Sequence, residues 1–145
     1  MTKIQEFLTK EQETEIVEAI RQAELNTSGE IRVHIESSVK DDPLTHAANV
    51  FHLLNMENTE SRNGVLIYIA VKSKIFVIYG DKGINEVVPE GFWDSTKDII
   101  QEHFKKGDFT TGIVEGIRKA GEQLKKYFPW TKEDENELPD NISKS

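Results

Sequence analysis

Hydrophobic positions in this chain switch repeatedly between the spacing of a helix and the spacing of a strand. Over residues 16–23 apolar side chains recur every three or four positions, which predicts an amphipathic helix. Its start is marked at residues 9–12 by Thr-Lys-Glu-Gln, the pattern of a capping box. Residues 30–36 then alternate strictly between apolar and polar, which predicts a half-buried strand.

Residues 62–83 carry the most regular pattern of the chain. Two apolar runs, 65–71 and 75–79, are separated only by Lys-Ser-Lys. Three residues are too few for a crossover connection, so the second run must return antiparallel to the first as a hairpin. The stretch closes with Gly-Asp-Lys-Gly at 80–83, which is typical of a turn after a strand.

Three further helices complete the predicted order αβαββαα. One begins at Asp42-Pro43, one near residues 90–92, and one at Asp108 or Thr110 after the Lys-Lys-Gly that ends its predecessor. The order predicts an α/β fold, a Rossmann-like three-layer α/β/α sandwich with a small mixed β-sheet and helices on both faces. The first two strands should be parallel, because the helix between them crosses over right-handedly.

Length and composition predict one domain over residues 1–130. The remaining residues, 131–145, carry five acids against two lysines, and we expect a disordered acidic tail there. The chain has no cysteine, no apolar run long enough to span a bilayer and no signal-peptide pattern at its start, so we expect a soluble cytoplasmic protein without direct membrane insertion. A net charge of −8 argues against nucleic-acid binding.

The predicted topology brings polar residues to one edge of the sheet. Glu30 and Asn63 precede the two parallel strands, and the hairpin returns Asp81 to the same edge. With Glu86 and Asp108 nearby, the carboxylates could bind Ca²⁺ or Mg²⁺ through oxygen ligands. The same residues could equally form a turn, a helix cap and a solvated acidic edge.

Other kinds of chemistry find little support. The four histidines form no pair at the i, i+4 spacing of two metal ligands on one helix face, and we interpret them as surface or edge residues. No Gly-x-Ser-x-Gly motif marks a nucleophile.

Four ordered segments resemble the TPM domain, a family that includes a thylakoid-lumen protein, a photosystem II repair protein and a receptor modulator. They are Thr-Ser-Gly-Glu-Ile-Arg-Val at 27–33, Arg-Asn-Gly-Val-Leu-Ile-Tyr at 62–68, Gly-Asp-Lys-Gly-Ile at 80–84 and Gly-Asp-Phe-x-x-Gly-Ile at 107–113. The similarity extends from Leu8 to Pro129. The ending at 124–129 also resembles a short, soluble bacterial branch of the family. It implies an α/β/α sandwich, and a divalent-cation site, most simply for Ca²⁺, at Glu30, Asn63, Asp81 and Asp108.

Two functions therefore remain open. The first is a cation-binding interaction module, with a membrane-associated protein as one candidate partner, which the family's diversity favours. The second is a metal-dependent phosphoric monoester hydrolase, which the resemblance also implies. In it a bound cation would activate water, because no covalent nucleophile is evident.

Overall fold

A four-stranded sheet with helices on both faces organises the chain in the computed structural model, which describes residues 8–59, 61–130 and 142–144. The elements of these residues are α1 Lys10–Glu24, β1 Glu30–Glu36, α2 Pro43–Leu53, β2 Gly64–Ala70, β3 Ile75–Gly80, α3 Lys82–Asn85, α4 Asp94–Lys105, α5 Phe109–Lys125 and β4 Ser143–Lys144.

The first two helices begin at the predicted caps, whereas α4 begins at Asp94, after the predicted 90–92, and α5 follows Asp108 without a side-chain capping bond. The capping box of α1 forms as predicted: Gln12 N donates to Thr9 Oγ1 (3.1 Å) while Thr9 N donates to Gln12 Oε1 (2.8 Å). Asp42 caps α2 by accepting from Thr45 N at 3.0 Å. Because these side chains satisfy backbone N–H groups that a helix leaves unbonded, they fix where α1 and α2 begin.

The sheet has the strand order β3-β2-β1-β4. β1 and β2 are parallel, with Glu30 opposite Gly64, and β3 returns antiparallel to β2, with Gly80 opposite Val65. Both relations confirm the predicted crossover and hairpin.

The sheet separates two hydrophobic clusters. Odd-numbered residues such as Ile31, Val33 and Ile67 pack with α1, α4 and α5, whereas Leu66 and Tyr68 pack beneath α2. The three layers confirm the predicted α/β/α architecture.

Two elements were not predicted: the four-residue helix α3 and the strand β4. Ser143 and Lys144 pair with His34 and Ile35 in parallel, and Ile142 is buried before them. For residues 142–144 the prediction of a disordered tail is therefore wrong, because the outer edge of β1 and the core hold this segment. Residues 131–141 and 145 of the predicted tail lie outside the described residues.

No helix in the described part of the chain is both long enough and apolar enough to cross a membrane.

Candidate functional site

Three of the four predicted site residues meet at one edge of the sheet, which we call the rim: the N-terminal ends of β1 and β2 and the C-terminal end of β3. Glu30 N donates to Asn63 O at 3.3 Å, and Asp81 N donates to Gly64 O at 2.9 Å. The exposed fractions of Glu30, Asn63 and Asp81 are only 2, 1 and 4%. Because buried polar groups must find partners, their contacts decide what the rim can bind.

Asp81 is held by an arginine. Arg62 Nε lies 2.8 Å from Asp81 Oδ2 and Arg62 Nη2 lies 3.1 Å from Asp81 Oδ1, and the latter oxygen also accepts from Lys82 N at 2.7 Å. The hydrogen bonds that Arg62 donates to Asp81 raise the pKa of Arg62. Both oxygens of this carboxylate are thus engaged, and its charge is balanced within the protein.

Gly83 brings the turn after β3 against the residues that precede β2. Gly83 N donates to Arg62 O at 2.9 Å, and a Cβ at position 83 would lie 2.2 Å from Ser61 O and 2.6 Å from Arg62 O. Only glycine permits so close an approach between two backbone segments. The Gly-Asp-Lys-Gly stretch therefore holds Arg62 in place, through the backbone N–H of Gly83 and the carboxylate of Asp81.

The side-chain oxygen of Asn63 is a hydrogen-bond acceptor to which no described residue donates. Asn63 Nδ2 donates to Ser28 Oγ at 3.3 Å, and its backbone N–H donates to Thr59 Oγ1 at 3.3 Å. Its Oδ1, however, is buried and has no hydrogen-bond partner. An orphaned buried oxygen is uncommon in a folded protein and offers a hard ligand to a cation.

Asp108 lies away from the rim, so the predicted set of four is not brought together. The C-terminal end of α5 is at the rim, where Ser28 N donates to Phe128 O at 2.9 Å. Asp108 stands at the other end of this 17-residue helix, about 25 Å away at 1.5 Å per residue. It is exposed and makes no side-chain capping bond.

The other polar groups of the rim supply only some of the oxygen ligands that a hard cation needs. Among the described residues, no group of three or more His, Asp or Glu side chains is arranged to hold a metal ion. The oxygens that suit Ca²⁺ are the unpartnered Asn63 Oδ1 and the carboxylate of Glu30, with Asp81 committed to Arg62.

A second polar group, which the sequence analysis missed, is buried beneath α2 and is called here the Glu36 cluster. Glu36 Oε2 accepts from Tyr68 OH at 2.6 Å and lies 2.8 Å from His46 Nε2, while Oε1 lies 3.2 Å from His34 Nε2. Asp41 Oδ1 lies 3.3 Å from His46 Nδ1 on the solvent side.

His34 was predicted to be a surface or edge residue, and this was wrong, since it is 4% exposed. Burial lowers the pKa of His34, which favours a neutral ring whose Nε2–H donates to Glu36 while Nδ1 accepts from Ser143 Oγ at 3.0 Å. Burial likewise raises the pKa of the Tyr68 phenol. His34 is covered because it lies opposite the buried Tyr68 and beside Ser143 of β4, and the second of these contacts was not predicted from the sequence.

The chain is similar to a known protein family and to solved structures. The TPM domain family model matches residues 1–123. The NMR structure of the BA42 protein from the psychrophilic bacterium Bizionia argentinensis is 60% identical, with full coverage of both chains and a TM-score of 0.94. No curated protein matches the chain significantly.

Two more distant solved structures share the fold alone. The N-terminal domain of a protein from P. gingivalis is 20% identical over 85% of this chain and 80% of its own (TM-score 0.69). The N-terminal domain of the Corynebacterium glutamicum cg2496 protein is 15% identical over 81% and 74% (TM-score 0.65). With a family model that covers most of its length, this chain belongs to the TPM domain family.

Proposed function

We propose that this TPM domain binds a divalent cation at the rim and acts as an interaction module. The observation that carries the proposal is the buried Asn63 Oδ1, which has no hydrogen-bond partner. Glu30, whose backbone N–H donates to Asn63 O, would supply the negative charge. Ca²⁺ suits these ligands better than Mg²⁺, because it accepts amide and carboxylate oxygens in irregular geometry.

Asp81 would join as a ligand only after its carboxylate leaves Arg62. The two side chains share two hydrogen bonds, and a cation would have to replace both of them. Arg62 is half-exposed, so its guanidinium can turn toward water when a cation takes its place. Arg62 would thus compete with the cation for Asp81.

The test is a titration of the ¹⁵N-labelled protein with CaCl₂ and with MgCl₂, followed through backbone amide shifts. We expect Ca²⁺ to move the amides around Glu30, Asn63 and Asp81. Glu30→Gln should weaken the apparent affinity at least about tenfold, because affinity follows the number of charged ligands. Asn63→Ala should weaken it as well.

Asp108→Asn is the matched control for the cation titration. It removes a carboxylate that the sequence placed in the site but that lies at the far end of α5, so the affinity should stay unchanged. A titration in which Ca²⁺ moves no rim amide, or in which Asp108→Asn weakens binding as much as Glu30→Gln does, would refute the proposal.

The hydrolase alternative has less support at the rim. Phosphoryl transfer needs cations at the transferred group, but Arg62 pairs with Asp81, and Lys82 Nζ lies 4.0 Å from Glu86 Oε1. Hydrolysis of p-nitrophenyl phosphate that requires the cation and disappears in Glu30→Gln would favour the enzyme instead.

Exposed apolar side chains near the rim support the interaction role. They lie at or just after the C-terminal ends of helices, on the side of the molecule that faces the rim, whereas Leu44 lies at the opposite end of α2. These residues are Leu25, Leu53, Val87, Tyr127 and Trp130. Large exposed apolar side chains around a polar site are typical of a protein-binding surface. We expect a protein partner with an apolar patch flanked by basic residues, which would complement a net charge of −8.

A photo-crosslinking amino acid on α2 tests the partner surface. Leu53 and Leu44 are 80% and 57% exposed at opposite ends of that helix. In the cells that make the protein, a crosslinker at position 53 should give one discrete adduct that is lost in Glu30→Gln, while a crosslinker at position 44 should give none. Equal labelling from both positions, or no adduct from position 53, would contradict a docking surface at the rim.

A further inference from the structure

Arg32, in the middle of β1, has no partner for its charge in the part of the chain that the structure describes. Within the described residues, no hydrogen bond or ion pair involves this side chain, and its Nε is buried without an acceptor. The guanidinium has five N–H donors and no acceptor. A half-buried arginine whose Nε–H is buried without an acceptor requires an explanation.

The other arginines show what is usual in this protein. Arg21 pairs with Glu18 at 3.1 Å, Arg62 with Asp81 at 2.8 Å and Arg118 with Glu115 at 3.0 Å. All four arginines of the chain lie in the described residues, and Arg32 alone among them lacks a carboxylate there.

The position of Arg32 is set by the sheet register. It lies opposite Leu66, whose side chain packs beneath α2, so Arg32 projects from the same face. Alternation places Glu30 and His34 on this face at about 6.6 Å on either side along the strand. The charge of Arg32 contributes to the lowered pKa of His34, and burial lowers the pKa of Arg32 itself.

We propose that Arg32 binds an oxyanion, the carboxylate or phosphoryl group of a small ligand, through the terminal nitrogens of its guanidinium. Two parallel N–H donors of arginine match the two oxygens of either group. The site differs from the cation site of the proposed function and does not depend on it. Because the net charge of the protein repels anions, binding here needs a local cation that no carboxylate has neutralised.

Titrations with sodium phosphate and with sodium acetate, each against sodium chloride at equal ionic strength, test this site. The reporters are the Arg32 Nε–Hε resonance and the β1 amides. We expect at least one of the two anions to shift them saturably, and the anion that does so identifies the class of ligand. Arg32→Met should weaken the apparent affinity about tenfold or more, which is the usual loss for a charge-assisted hydrogen bond. Arg32→Lys should weaken it less.

Thermal unfolding provides a second readout that does not need the arginine resonance. Without added anion, Arg32→Met should unfold at a temperature at least as high as the wild type, because an unpaired, partly buried charge has been removed. The effective anion should stabilise the wild type and the control Arg118→Met, but not Arg32→Met. Neither anion moving the reporters, or equal stabilisation of Arg32→Met and wild type, would overturn the proposal.

Discussion

We expect Gly83→Ala to lower the free energy of unfolding by about 3 kcal/mol, at the upper end of the cost of inserting a methyl group into a packed site. A Cβ there would meet the carbonyl oxygens of Ser61 and Arg62 at 2.2 and 2.6 Å. Both are backbone atoms, so no side chain can rotate away to relieve the contact. Thermal unfolding should show a midpoint roughly 10 °C lower.

Gly107→Ala is the matched control for this substitution. Gly107 has a left-handed φ of +81°, but a Cβ there would have nothing within 4 Å, so only the conformational cost of about 1 kcal/mol applies. If the two variants lose equal stability, close backbone contact at Gly83 is not what matters. Gly83→Ala should also displace Arg62 and change the chemical shift of its Nε–Hε group.

We expect Glu36→Gln to cost about 1.5–3 kcal/mol, the usual contribution of a hydrogen bond to a charged group. The carboxylate of Glu36 faces Tyr68, His34 and His46, and an amide offers one acceptor oxygen where the carboxylate offers two. Chemical denaturation at neutral pH measures the difference directly.

Asp41→Asn provides the comparison for Glu36→Gln. Asp41 contacts the same His46 at 3.3 Å but is 57% exposed, so the loss should stay below about 1 kcal/mol. Tyr68→Phe, which removes one hydroxyl from the cluster, should cost an intermediate amount. A Glu36→Gln variant within 1 kcal/mol of the wild type would contradict the view that its carboxylate holds these groups together.

The rim was predictable because it depends on topology rather than on side-chain detail. A crossover helix makes β1 and β2 parallel, and the three-residue link between 71 and 75 forces β3 to return. These two facts place Glu30, Asn63 and Asp81 at one edge whatever packs around them. The sequence did not reveal that the Asp81 carboxylate is already paired with the Arg62 guanidinium. An ion pair between residues 19 positions apart leaves no periodic signal.

The prediction placed Asp108 at the rim, although the order of the helices along the chain indicates the opposite edge of the sheet. β3 ends at the rim, α4 leads away from it, and α5 returns, as the Thr96–Gln123 hydrogen bond between the start of α4 and the end of α5 shows. Counting these two passes puts the start of α5 at the far edge. The Glu36 cluster, in contrast, could not be assembled from sequence, because it joins a strand, a loop and a helix through side-chain contacts alone.

The short strand β4 sets the order in which the sheet can be completed during synthesis. Ser143 is made 109 residues after His34, the residue to which it bonds. Residues 30–70 leave the ribosome before residues 143–144 are made, so β1 and β2 can pair while the outer edge of β1 at His34 and Ile35 is still uncovered. During that interval the edge is open to pairing with another nascent chain, and arrival of the last strand closes it.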